Sequence, residues 1–211
     1  RTAGAFPGFV VRHGYDVIVY SPKKLPRLSR LPHVTSVTPA VVTYNGAVGC
    51  ASCHTPIDTR NFLVNEVPPG QLPRMMTLLS GRMPRQSDPG EVLASFTLAR
   101  DNGVRIGSVL RPQLITQAEL ETGKGKPSPA LRPALRVVGI VAAESEFPSG
   151  GSSHYDLYAS TAYAAAFNPR VALLRTYYVR LAHGAADLAG FDTRFRSPDV
   201  YGTADLDEAA D

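Results

Sequence analysis

The chain has 211 residues, 44% of them hydrophobic and 19% charged, and carries a formal net charge of +4. That length and apolar content suffice for one large domain or two small lobes with a proper core, and they exclude a natively unfolded chain. The arginines stand singly among prolines and apolar residues, which excludes the concentrated phosphate footprint and stacking aromatics that nucleic-acid binding requires.

Glycine and proline contribute 18 residues each; they interrupt helices, so strands and short helices are expected. The sequence starts at Arg1 without a methionine. It shows no membrane-length apolar run, signal peptide or polybasic anchor, and it reads as an excised fragment.

In chain order, residues 16–20 (DVIVY) follow Gly14 as a strand, and Leu25, Leu28 and Leu31 stand at helical spacing in a predicted helix over 22–31. Residues 34–48 are rich in β-branched side chains and predict one or two strands, broken by Pro39 and by the turn pair Asn45-Gly46. This gives a β-α-β opening. Residues 50–60 read as a turn, and Pro68-Pro69-Gly70 breaks the chain at the first lobe boundary.

Beyond that break a short helix is predicted over 71–79, with Leu72, Met75, Met76 and Leu79 facing inward. A strand over 91–94 and a helix over 95–101 closed by Asn102-Gly103 come next. Residues 104–110 and 113–117 predict two strands separated by Pro112, and 119–133, which ends in ETGKGKPSPALRP, predicts a hairpin tip. The clearest strand is 135–142, followed by a loop over 144–154 and a strand over 155–159. Ser160 caps a predicted helix over 161–167, residues 177–181 alternate as a strand, and 184–195 form an amphipathic helix with Leu188, Phe191 and Phe195 on one face.

The sharpest chemical pattern is Cys50-Ala-Ser-Cys53-His54, which matches the C-x-x-C-H attachment site of c-type haem. Two thioether anchors and a proximal histidine are chemically sufficient for attachment, with Met75, Met76 or Met83 as nominal distal ligands. The surrounding Gly, Pro and Thr favour a surface loop stapled by a Cys50–Cys53 disulfide, as exported domains favour oxidised pairs; free thiols or adventitious metal complete the alternatives. Structural zinc needs four ligands, more than this loop supplies. Pro56 removes the helix that a thioredoxin-type pair requires.

Other constellations carry less. Gly150 to His154 lacks the spacing of a nucleophile elbow. His13, His33, His154 and His183 are isolated in the sequence. Glu144 and Glu146 lie two apart in a chain without tryptophan for sugar stacking. Gly123-Lys-Gly-Lys126 lacks the rest of a P-loop. No catalytic residue, cofactor or metal site is expected, and the loops at 124 and 148–153 are the candidate partner contacts.

Four further stretches define an ordered pattern: Leu31-Pro-His-Val-Thr-Ser-Val-Thr-Pro39; Leu79-Ser-Gly-Arg-Met-Pro84 with Asp88-Pro-Gly-Glu-Val-Leu93; Asn102-Gly-Val-Arg-Ile-Gly107; and Val137-Val-Gly-Ile-Val141. Their order and spacing, running from about Asp16 to Leu181, resemble the extracytoplasmic region of MacB/FtsX-like ABC permeases, the lipoprotein-release permeases among them. As scaffold residues, Gly81 and Gly107 permit tight turns, and Gly139 lets a strand bend or approach a neighbour closely. Arg82 belongs to the same motif, and Glu91 precedes a strand on which a charge can face solvent.

The resemblance implies an α+β fold in which a discontinuous mixed α/β porter-like lobe (residues 1–64 and 166–211, the latter with a C-terminal tail) carries an inserted, mainly β, sabre-like lobe (residues 65–165). It implies a non-catalytic domain on the extracytoplasmic face of the bacterial cell membrane, with a membrane helix before Arg1 and three after Asp211. The partners it implies are the transmembrane helices of the same permease, a separate ATP-binding subunit or domain, a second copy in a dimeric transporter and an envelope protein. The competing reading is a secreted binding or redox module, with c-type haem through Cys50, Cys53 and His54 as its sharpest form.

Overall fold

The computed structural model describes residues 15–58, 62–70, 76–122, 131–143, 146, 155–167, 170–195 and 202–205. The fold is α+β and divides into two compact units, one formed by Arg1–Ala40 with Leu174–Asp211 and the other by Val41–Leu173. His13, Leu72, Met75, Lys124, Lys126, Glu144 and residues 150–154, for which the sequence carries expectations, lie outside the described residues.

In the first unit the strands β1 (Val17–Ser21), β2 (Val34–Thr43), β10 (Leu173–Leu181) and β11 (Gly202–Asp205) stand in the order β11-β1-β10-β2. Alternation along β1 buries Val17, Val19 and Ser21 and leaves Ile18 and Tyr20 partly exposed, as a half-buried strand requires. β1 runs antiparallel to both neighbours, with Val17 opposite Val179 on one side and Asp205 on the other. Val17, Val19, Leu28, Tyr177, Val179, Leu181 and Phe191 form the core of this unit.

The helix predicted over 22–31 is a single 3-10 turn, Leu28–Arg30. Pro26 removes one backbone donor and disfavours helical dihedrals at Leu25, so the segment cannot propagate a helix; Leu25 instead donates its backbone N–H to the Tyr177 hydroxyl at 3.0 Å. The amphipathic segment near the C-terminus begins as a 3-10 turn, Gly184–Asp187, and continues as a helix, Leu188–Arg194, which buries Phe191.

In the second unit the strands are β3 (Asn45–Cys50), β4 (Phe62–Glu66), β5 (Met76–Gly81), β6 (Glu91–Ser95), β7 (Val109–Leu114), β8 (Leu135–Ala143) and β9 (Tyr155–Ala159), in the order β4-β9-β6-β8-β7-β3 with β5 also on β8. β4 pairs parallel with β9, and β6 pairs parallel with β8 and antiparallel with β9. Every residue of β6 is buried, the expected state of a central strand covered on both faces. The core gathers Phe62, Val64, Val92, Leu98, Leu110, Leu135, Leu157 and Tyr163 among others.

Among the described residues this unit holds the helices α1 (Phe96–Asn102), α2 (Gln117–Thr122) and α3 (Thr161–Phe167); the helix at Leu188–Arg194 is α4. The Ser95 side chain caps α1 by accepting the Leu98 N–H at 3.3 Å, and Gly103 ends it in the left-handed region at φ 71°.

Three sequence expectations are corrected here. Residues 76–79 of the predicted 71–79 helix lie in strand β5, because Met76, Thr77 and Leu78 complete the edge of β8. The two strands predicted around Pro112 are one strand, β7; its ladder with β8 involves only Val109 and Leu110, so Pro112 faces only β3, opposite Val48 at an irregularity in register. Gln117 begins a helix, because Thr116 and Glu119 form a reciprocal cap: the Glu119 N–H donates to Thr116 Oγ1 at 3.2 Å and the Thr116 N–H to Glu119 Oε2 at 2.7 Å.

Candidate functional site

Three of the four ordered sequence motifs converge on the middle of β8. β6 pairs with β8 from Arg136 to Val141, so β7 and β5 must share its other edge, β7 at Leu135–Arg136 and β5 from Gly139 onward. The handover is bridged by backbone bonds: Gly107 N–H to the Val137 carbonyl at 2.8 Å, Val137 N–H to the Ser108 carbonyl at 2.9 Å, and Arg82 N–H to the Val138 carbonyl at 3.0 Å. Segments near residues 81, 107 and 139 therefore form one junction, which accounts physically for the spacing of the three motifs.

The glycines fit that junction differently. At Gly139 a β-carbon would stand 2.7 Å from the Arg82 carbonyl oxygen and 2.9 Å from Leu93 Cδ2. At Gly81, which has a left-handed φ of 82°, a β-carbon would stand 2.8 Å from the Gly139 α-carbon. Gly107, at φ 91°, has open space around it, so it answers only to the turn.

Arg82 and Glu91 hold the segment that leaves this junction. The Arg82 guanidinium binds both Glu91 oxygens, at 2.8 and 2.5 Å, while the Arg85 backbone N–H donates to Glu91 Oε2 at 2.9 Å and its guanidinium lies 2.8 Å from Oε1. Sequence reasoning left Glu91 facing solvent; its side chain is 6% exposed, while Arg82 is 53% exposed. The correction follows from pairing, because a carboxylate enters a central strand when bidentate guanidinium and backbone donors saturate it. The Arg82 hydrogen bonds, helped by Arg85 and opposed by burial, hold the Glu91 carboxyl down at about 2.

Two other acids, the buried Glu146 and the half-buried Glu66, differ in their partners. Glu146 accepts the backbone N–H of Thr97 at 2.6 Å, in the first turn of α1, and that of Ala143 at 2.8 Å; it serves as a structural clamp at a helix N-terminus. Glu66, at the end of β4, is pushed up to about 7 by burial, against which a hydrogen bond from the Val41 backbone works.

In the Cys50–His54 loop the two sulfurs are bonded to each other, so neither is a thiol free to form a thioether with haem in this state. The loop is tied to the end of α1 and to the turn before β7: the His54 N–H donates to the Asn102 carbonyl at 2.9 Å, Asn102 Nδ2 to Thr55 Oγ1 at 3.0 Å, and Ser52 Oγ to Ser108 Oγ at 2.9 Å. The His54 ring lies on the bare face of Gly103, its Cγ 2.9 Å from where a β-carbon would stand.

Sequence reasoning treated His33 and His183 as isolated, and the fold corrects this. His33 immediately precedes β2 and His183 follows β10, its neighbour in the sheet; their rings lie 5.6 Å apart. Asp187 sits between them, at 3.6 Å from His33 Nδ1 and 3.1 Å from His183 Nδ1. A sequence separation of 150 residues concealed the pair.

The chain has the fold of the periplasmic region of MacB from Actinobacillus actinomycetemcomitans, with a TM-score of 0.54 at 10% identity over 94% of this chain and 92% of that one. The extracellular domain of the noncanonic ABC-type transporter YknZ from Gram-positive bacteria aligns with a TM-score of 0.43 at 10% identity, over 89% of this chain and 99% of that one. No family model matches the sequence, and no curated protein is similar to it. The resemblance read from the ordered motifs is thus met at the level of the fold. No helix among the described residues is long and apolar enough to cross a membrane.

Proposed function

We propose that this chain is the extracytoplasmic domain of an ABC-transporter permease, a non-catalytic module that couples ATP hydrolysis on a separate cytoplasmic subunit or domain to substrate export or to an envelope partner. The observation that carries this reading is the MacB-like fold extending over 94% of the chain. The division into a discontinuous porter-like lobe and an inserted sabre-like lobe is proposed on the same likeness.

The pairing of Val17 with Asp205 supports it. A domain inserted between two membrane helices must receive and return the chain at nearly the same place, and adjacent antiparallel strands meet that requirement. Both flanks would then pull on one hydrogen-bonded sheet, so helix motion driven by ATP would move the first unit as a body.

The chemistry of the charged groups is consistent with a mechanical role. Glu91 and Glu146 are committed to guanidinium and backbone donors, which fixes the chain between strands rather than presenting a base to substrate. The complete coding sequence tests the reading. One membrane helix before Arg1 and three after Asp211 support it, whereas a polypeptide without membrane helices overturns it.

A further inference from the structure

We infer that His33, His183 and Asp187 form a surface site for a divalent transition ion of the zinc class. One ligand atom from each residue lies within 4.8 Å of those of the other two. A tetrahedral zinc ion with bonds of about 2.0–2.2 Å spaces its ligand atoms at about 3.3–3.6 Å. Measured to the one carboxylate oxygen Asp187 Oδ1, the separations are 3.6 Å from His33 Nδ1 and 3.3 Å from His183 Nδ1, close to that spacing. Side-chain rotation at the exposed imidazoles supplies what adjustment remains. Three protein ligands leave one tetrahedral position for water.

The donors are held in place by the backbone. The His33 carbonyl accepts the Ala182 N–H at 2.8 Å, which joins the two histidine-bearing turns directly. The His183 N–H donates to Asp187 Oδ2 at 2.9 Å, orienting the carboxylate toward both rings. His33 has φ 65°, a left-handed conformation in which histidine is several-fold enriched among non-glycine residues. Two imidazoles and one carboxylate suit zinc better than magnesium or calcium, which prefer oxygen ligands.

All three ligands belong to the first unit, but they come from its two separate stretches of chain. A bound ion would therefore fasten the start of β2 to the turn after β10 and stabilise that unit.

The test uses the tag-free chain and Zn2+ itself in isothermal titration, with Co2+ as a spectroscopic replacement. The expected result is one zinc per chain, a visible Co2+ band of tetrahedral intensity and a rise in melting temperature with zinc. His183→Ala and His33→Asn, the latter chosen because asparagine tolerates the left-handed backbone, should each weaken zinc binding by at least about tenfold. Circular dichroism checks that both variants are folded. His54→Ala should bind as the parent does. Unchanged zinc affinity in folded His183→Ala and His33→Asn, or loss of binding in His54→Ala instead, overturns the assignment.

Discussion

Gly81 and Gly139 stand directly opposite each other in the β5–β8 ladder, packed so closely that a side chain on Gly81 would enter the Val138–Gly139 backbone and one on Gly139 would meet the Arg82 carbonyl oxygen. This contact lies where the edge of β8 passes from β7 to β5. Gly139→Ala is expected to lower the unfolding free energy by about 2–3 kcal/mol through overpacking. Gly81→Ala should cost at least as much, because left-handed backbone adds about 1 kcal/mol to the clash. Gly107→Ala meets open space and should cost only about 1 kcal/mol, all of it conformational. Urea unfolding of the three variants separates the cases, and equal losses at 107 and 139 would contradict the junction.

The Arg82–Glu91 pair predicts a distinct acid response. A carboxyl lowered from 4.5 to about 2 in the folded chain contributes stability that is present above the unfolded value and is lost as pH falls through the folded one. Glu91→Gln should therefore cost about 2 kcal/mol at neutral pH, the scale of charge-assisted hydrogen bonds, and should flatten the decline between pH 4.5 and about 2. Arg82→Ala should destabilise as well, leaving Arg85 as the remaining cation on a buried carboxylate. Unfolding curves collected across that range check both.

Glu66 predicts the opposite slope. With its folded value raised from 4.5 to about 7, the folded chain binds more protons than the unfolded one between those values, so stability falls as pH rises through that window. Glu66→Gln should gain about 1–2 kcal/mol at pH 8, after allowance for solvent screening of a half-buried group, and nothing at pH 4. Denaturation midpoints at the two pH values decide it.

The Cys50–Cys53 bond closes a very short loop, with a sequence separation of 3, so its entropic contribution is at most about 2 kcal/mol. Reduction, or the Cys50→Ser/Cys53→Ser variant, should lower the melting temperature modestly without unfolding the chain, because His54, Thr55 and Asn102 anchor the loop independently. Thiol alkylation followed by mass measurement reports the redox state, and thermal denaturation reports the loss.

Legibility of the sequence followed the range of the interactions. Residues 91–102, 135–143 and 155–167 are readable because apolar runs and stops such as Asn102-Gly103 are local signals. β5 was read as a helix because Met76 and Leu79 fit either period, and the decision belongs to the open edge of β8, more than 55 residues away. Glu91 was placed in solvent because its partner Arg82 comes from the far side of a turn. The Thr116–Glu119 cap was a local signal, masked by the β-rich run before it. The His33–His183–Asp187 cluster had no local signal, since adjacent strands from opposite ends of the chain create it.

Location tests the central claim most directly. In the full-length protein expressed in intact cells, a cysteine placed at exposed Ser36 is treated with a membrane-impermeant maleimide while a cytosolic control protein is monitored. The account predicts that Ser36→Cys is labelled in intact cells, through an outer membrane made porous where one exists, and that the protein stays with the membrane fraction. Labelling only after lysis would place the domain in the cytoplasm and contradict the transporter reading.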